Sequence, residues 1–122
     1  MNSIDVDVKT QYLPDQSVPG AKQFVYAYTI TITNNGDETA QLISRHWIIS
    51  DANNKIQEVQ GIGVVGEQPT LAPGESYTYT SGAVMETNSG IMGGSYTMQL
   101  TSGEKFVADI PQFALVQPHA VH

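Results

Sequence analysis

The run Gly61-Ile62-Gly63-Val64-Val65-Gly66 spells G-x-G-x-x-G, the letters of a dinucleotide-binding turn. That turn needs a strand before it and a helix after it, because the helix N-terminus holds the pyrophosphate. A strand fits the residues before Gly61. A helix does not fit the residues after Gly66, where Pro69 and then Pro73-Gly74 break the chain. Glu86 lies 20 residues beyond Gly66, but without the βαβ frame that spacing carries no meaning. A weaker form survives: Gly61, Gly63 and Gly66 could let backbone N–H groups approach a phosphate, with Arg45 as the cation. Against it stands a scaffold reading, in which glycines form tight turns and Val64 and Val65 pack over one end of the fold. The scaffold reading comes first, since a bare match to these letters is weak.

Arg45-His46-Trp47 is the second constellation. If Trp47 points into a core, alternation puts Arg45 on the same side, where a guanidinium needs a carboxylate or carbonyl partner. Glu58 or Glu67 would tie Arg45 to the glycine run; the competing role for Arg45 is a ligand phosphate. His46 points the other way, toward a rim. No G-x-S-x-G elbow is present, and His119 and His122 are spaced three apart in a terminal tail. Asp5 and Asp7 share one strand face, which reads as solvated. No catalytic set and no metal site emerges, and no cofactor is implied.

Charge and composition narrow the classes further. Twelve acidic residues against five basic ones give a net charge of −7, which argues against nucleic acid and anionic membranes as partners. There is no cysteine, so disulfides and thiolate chemistry are excluded. No basic and apolar leader and no run of about 20 apolar residues is seen, so the expectation is a cytoplasmic chain without a membrane span.

The elements that must position these residues read as strands. Ile4, Val6 and Val8 alternate with polar neighbours, and Phe24 to Thr33 alternates for longer, with Phe24, Tyr26, Tyr28, Ile30 and Ile32 on one face. Asn34 to Asp37 is a turn. The next strand runs from about Thr39 to Ser50, with Ile43, Arg45, Trp47 and Ile49 on one face and Leu42, Ser44, His46 and Ile48 on the other. After a turn at 51–54 comes a short strand at 56–60. Gly61 to Gly74 reads as one long loop, ending in a type II turn at Pro73-Gly74 with Leu71 plugging the end. Strands follow at 76–80 and from Tyr96, and a last strand starts near Phe106, with Pro111 placing it at a sheet edge. The stretch 81–90 reads as irregular with a short strand near 83–86, and 117–122 as a loose tail. Seven or more strands with no helical period predict an all-β fold: an immunoglobulin-like, fibronectin type III-like β-sandwich of two antiparallel sheets, one domain over 1–122.

Longer stretches are familiar. Arg45 to Asp51, Glu58-Val59-Gln60 with Gly61 to Pro69, Leu71 to Glu75, Tyr79 to Gly82, Gly90 to Tyr96 and Ile110 to Leu115 together resemble the ApaG family. The Gly-Val-Val-Gly-Glu-Gln-Pro run makes this far more specific than G-x-G-x-x-G alone. Asn53-Asn54 departs from the Asn-Gly that the family often has there, which touches only that turn. The resemblance implies the same sandwich fold and no established enzymatic activity. It also implies a link to cobalt and magnesium homeostasis and to diadenosine polyphosphate metabolism, and pyrophosphate binding at the glycine loop. Related domains in eukaryotic F-box and polymerase-associated proteins look like binding modules. Three functions are therefore expected, in this order. First is a non-enzymatic module binding a protein or small ligand, with the Leu42–Ile48 face as a partner or homodimer surface. Second is a nucleotide polyphosphate binder using Gly61, Gly63, Gly66 and Arg45. Third is a cation-dependent hydrolase with Glu58 and Glu67.

Overall fold

The computed structural model describes residues 3–117. It contains eight strands: β1 Ile4–Tyr12, β2 Phe24–Asn34, β3 Ala40–Asp51, β4 Ile56–Ile62, β5 Thr70–Leu71, β6 Ser76–Met85, β7 Gly90–Leu100 and β8 Lys105–Leu115. Two single-turn 3₁₀ segments, Pro14–Gln16 and Pro19–Ala21, lie between β1 and β2. One sheet has the order β1-β2-β6; the other runs β4-β3-β7-β8, with β5 added beside β3. All pairings are antiparallel. This is the all-β sandwich of two antiparallel sheets that the alternation predicts.

The alternation of β2 explains the first sheet. Tyr26, Tyr28, Ile30 and Ile32 are buried, while Thr29, Thr31 and Thr33 face outward and bond to Thr80, Thr78 and Ser76 across the sheet at 2.9, 3.0 and 2.7 Å. The opposing sheet contributes Leu42, Trp47, Ile49, Met92, Tyr96, Met98, Ala108, Ile110 and Leu115 to the same core. Trp47 sits at its centre, with ring centroids 5.3 Å from Tyr28, 6.2 Å from Tyr96 and 6.0 Å from Phe113. The hydroxyls of Tyr79 and Tyr96 meet at 2.6 Å and join the two sheets inside the core.

Several boundaries differ from the sequence expectation. The register of β3 against β7 shifts between Leu42 and Ser44, leaving Ile43 as an extra residue. A bulge of one residue exchanges the two faces. Leu42 is therefore fully buried along with Trp47, and the expected exposed Leu42–Ile48 face reduces to Ile48, which is 39% exposed. Gly61 to Gly74 is not one loop: Gly61 and Ile62 finish β4, a hairpin follows, and Thr70–Leu71 forms β5. Leu71 is buried and Glu75 N–H bonds to Ala72 O at 2.9 Å across the Pro73-Gly74 turn, as expected. Strand β6 continues to Met85 and β7 starts at Gly90, so 81–90 is mostly strand. Pro111 lies in the edge strand β8, where two residues oppose Gly93. His119 and His122 lie outside the described residues, as does most of the tail expected at 117–122.

Candidate functional site

The glycine run folds as the end of a strand and a closed hairpin. Gly61 lies directly opposite Arg45 in the β3–β4 ladder. A Cβ added there would stand 2.8 Å from Arg45 Nη1, so the guanidinium lies over the bare glycine. Arg45 Nη1 donates to Gly63 O at 2.8 Å and to Ile62 O at 3.2 Å. The link between Arg45 and the run is thus present, but through carbonyls and not through Glu58 or Glu67. The reason is geometric. Glu58 stands opposite Ile48, on the other face of the sheet, and binds His46. Glu67 enters through its backbone: Val64 and Glu67 exchange N–H···O bonds, both 2.8 Å.

Between them Val65 and Gly66 have φ of 43° and 83°, the positive pair that a two-residue type I′ hairpin requires. Gly63, at φ 68°, has no room for a side chain, because a Cβ would run into the Glu67 carbonyl oxygen. Val64 is buried in the core as expected; Val65 is 55% exposed at the tip and does not pack over the end. The N–H groups of Gly63, Val64 and Glu67 are already used, Gly63 N–H bonding to Ile43 O at 2.9 Å, and that of Gly61 is used in the ladder with β3. Among the described residues, the N–H groups of Val65 and Gly66 carry no hydrogen bond. Both residues have positive φ, whereas an anion-binding nest alternates right- and left-handed residues.

A second place lies on the outer face of the β4-β3-β7-β8 sheet. Pairing aligns side chains there in rows: Gln60, His46, Ser95 and Asp109 form one, Ile62, Ser44, Thr97 and Val107 the next. Two clefts adjoin on this face. One, of about 400 Å³, is lined by His46, Ile48, Ile91, Gly93, Gly94, Ser95, Asp109 and Gln112. The other, of about 500 Å³, is lined by Ser44, Arg45, His46, Gln60, Gly61, Ile62, Ser95 and Thr97. His46 and Ser95 belong to both. Gly93 leaves room in the first cleft, and Gly94 lets β7 come close to the backbone of β3. A Cβ on Gly93 would stand 3.0 Å from Gln112 Cγ, and one on Gly94 would collide with the His46 carbonyl oxygen. His46 Nε2 is 2.8 Å from Glu58 Oε1, an ion pair when the imidazole is protonated, and both side chains are partly exposed. Ile48, Ile62, Ile91 and Val107 are exposed around these polar groups.

The sequence placed His46 on a rim, which agrees, but missed Ser95, Asp109, Gly93 and Gly94 as its neighbours. The Gly93-Gly94 pair inside an otherwise alternating stretch was the available signal. Behind the sheet, burial pushes the phenols of Tyr79 and Tyr96 far above the ordinary tyrosine value, with the nearby Arg45 charge acting against that rise. Among the described residues no group of three or more His, Asp or Glu is placed to hold a metal ion, and no helix is long and apolar enough to cross a membrane.

A family model described as ApaG domain matches residues 14–100. Protein ApaG of Thiobacillus denitrificans is 55% identical over 119 residues, covering 98% of this chain and 94% of that one. Protein ApaG of Pseudomonas aeruginosa is 53% identical over 121 residues, covering 99% and 96%. The crystal structure of an ApaA protein from Bordetella pertussis superposes with a TM-score of 0.92 at 48% identity, over 95% of this chain and 94% of the other.

Proposed function

The chain belongs to the ApaG domain family, and from that premise we propose that it is a binding domain with no bond chemistry of its own. Its ligand is a segment of another protein, seated on the outer face of the β4-β3-β7-β8 sheet. The observation that carries this reading is the pair of clefts meeting at His46 and Ser95. Two neighbouring recesses on one sheet face suit two side chains of one extended segment. Exposed isoleucines around them offer apolar area, while His46, Gln60, Ser95 and Asp109 offer hydrogen bonds that set orientation. Glu58 and Asp109 on this face, within a chain of net charge −7, favour a segment carrying lysine or arginine. On this reading, any influence on cobalt or magnesium levels runs through the partner, in the cytoplasm.

The test is a variant that fills both clefts at once. Ser95→Tyr, shown by thermal unfolding to remain folded, is expected to lose the proteins that wild type retains from lysate. Thr78→Tyr, on the opposite sheet, is expected to retain them. Equal retention by Ser95→Tyr would overturn the seat.

A second reading, polyphosphate binding at Gly61–Gly66, is supported by the two unpartnered N–H groups of Val65 and Gly66 at the hairpin tip. Calorimetric titration with pyrophosphate and ATP, with and without Mg²⁺, tests it. The right variant is Gly66→Ala, where no atom lies within 4 Å of the added carbon. Gly63→Val would disturb the hairpin itself. With Arg45 committed to two carbonyls, no saturable heat is expected; heat that Gly66→Ala removes would put this reading first.

A further inference from the structure

We propose that β4 is an interface between two copies of this chain, paired antiparallel about a twofold axis at Val59, so that two β4-β3-β7-β8 sheets join into one. Among the described residues β4 pairs only with β3, and its other side is open. The ladder bonds at the two ends of that pairing, Gly63 N–H to Ile43 O and Asp51 N–H to Lys55 O, fix which residues look outward. Antiparallel bonds alternate along a strand, so odd-numbered residues of β4 bond to β3. The N–H and C=O groups of Ile56, Glu58, Gln60 and Ile62 therefore point to the open edge. Ile62 O also accepts from Arg45, at 3.2 Å, and keeps a second lone pair.

The sequence of this edge fits its own reverse. With Val59 on the axis, Ile56 faces Ile62 of the second copy, Glu58 faces Gln60, and Val59 faces Val59. Each of the outward-looking pairs exchanges two backbone bonds. Ile56, Val59 and Ile62, which are 63%, 39% and 75% exposed, become covered. Neighbouring registers fit worse. A shift one way sets Glu58 against Glu58 of the second copy, and like charges directly opposite are destabilising. A shift the other way sets Glu58 against Ile62 and leaves Ile56 without its partner.

The other edges are less suited to pairing. On β1, Asp5, Asp7 and Lys9 guard the edge; on β8, Lys105, Asp109 and a bulge containing Pro111 do so. On β6 the exposed Ser76, Thr78 and Thr80 hydroxyls already bond to β2, and Val84 is its one exposed aliphatic side chain. β4 has a single charged residue, no proline and no bulge. Pairing there would also set Ile56 of the second copy beside Ile62, at the wall of the larger cleft.

Sedimentation over a concentration series is expected to show a reversible monomer–dimer equilibrium. Gln60→Lys places a cation opposite Glu58 of the second copy and is expected to tighten it; Gln60→Glu places an anion there and is expected to loosen it. Each shift is between about twofold and about thirtyfold, from two symmetry-related cross-strand pairs. Gln60→Pro removes an outward N–H without touching the β3 ladder and should abolish the dimer. The chain has no cysteine, so Val59→Cys gives a clean probe. Residues opposite each other in a non-hydrogen-bonded pair stand about 4.5 Å apart, within disulfide reach. Val59→Cys is expected to oxidise to a covalent dimer, and Val84→Cys is not. A chain that stays monomeric at millimolar concentration would overturn the proposal. So would a dimer that Gln60→Lys and Gln60→Glu weaken alike, or one that Gln60→Pro leaves intact.

Discussion

Replacing the three glycines of the Gly61–Gly66 run by alanine, one at a time, should separate backbone need from ligand approach. Gly63→Ala asks a residue with a Cβ to hold φ 68°, which costs about 1–2 kcal/mol. The Cβ also overlaps the Glu67 carbonyl oxygen. Relieving that overlap strains the two Val64–Glu67 bonds, each with a net value of about 0.5–1.5 kcal/mol. The loss is then roughly 2–5 kcal/mol. Gly66→Ala, at φ 83° with open space around it, should lose only the conformational part, about 1–2 kcal/mol. At Gly61 the backbone is extended and only the tip of the Arg45 side chain has to move, so Gly61→Ala should lose less than about 1 kcal/mol. Urea unfolding followed by Trp47 fluorescence reads all three, because Trp47 is the single tryptophan and is 2% exposed. With a slope near 1.5 kcal/mol/M, a loss of about 3 kcal/mol lowers the midpoint by roughly 2 M. A Gly63→Ala midpoint equal to wild type, or Gly66→Ala more damaging than Gly63→Ala, would refute the reasoning.

Three further outcomes are expected. Tyr96→Phe leaves the Tyr79 hydroxyl buried without its 2.6 Å partner and should cost about 1–3 kcal/mol. Replacing both tyrosines should cost less than the sum of the single changes, as a double-mutant cycle will read. Burial raises both phenols, so the native state keeps protons that the unfolded chain releases above about pH 10. Their contribution is whole below that pH and declines above it, by about 1.4 kcal/mol per pH unit for each tyrosine. Denaturant midpoints between pH 9 and 12 test the sign, and the slope should shrink in the double Phe variant. Val65→Asn gives the hairpin an Asn-Gly tip, relieves a β-branched residue at φ 43°, and should raise stability by roughly 0.5–1.5 kcal/mol. A lower thermal midpoint would contradict that.

Most of the sandwich was legible because its strands alternate strictly. In β2 the buried Tyr26, Tyr28, Ile30 and Ile32 follow period two without a break. The reading failed where a bulge changes the parity. Nothing in Leu42-Ile43-Ser44 announces the extra residue, yet it moves Leu42 from the expected outer face into the core. Arg45 was correctly tied to the glycine run, but its partners are main-chain carbonyls, and a sequence names only side chains. Glycines in Gly61–Gly74 suggested a loop, although Gly61 lies in the β3–β4 ladder, where its missing Cβ leaves room for the guanidinium. The clefts were beyond reach for another reason. They depend on the register of β3, β4, β7 and β8 together, which places His46 beside Ser95 and Ser95 beside Asp109.

The binding seat is tested most directly by placing a photo-crosslinking side chain at Ser95 and, separately, at Thr78, then irradiating living cells. Expected is a discrete crosslinked protein from Ser95 that is absent from Thr78, with the crosslinked peptide an apolar segment carrying lysine or arginine. Crosslinks from Thr78 to the same protein, or none from Ser95, would contradict a seat on the β4-β3-β7-β8 face.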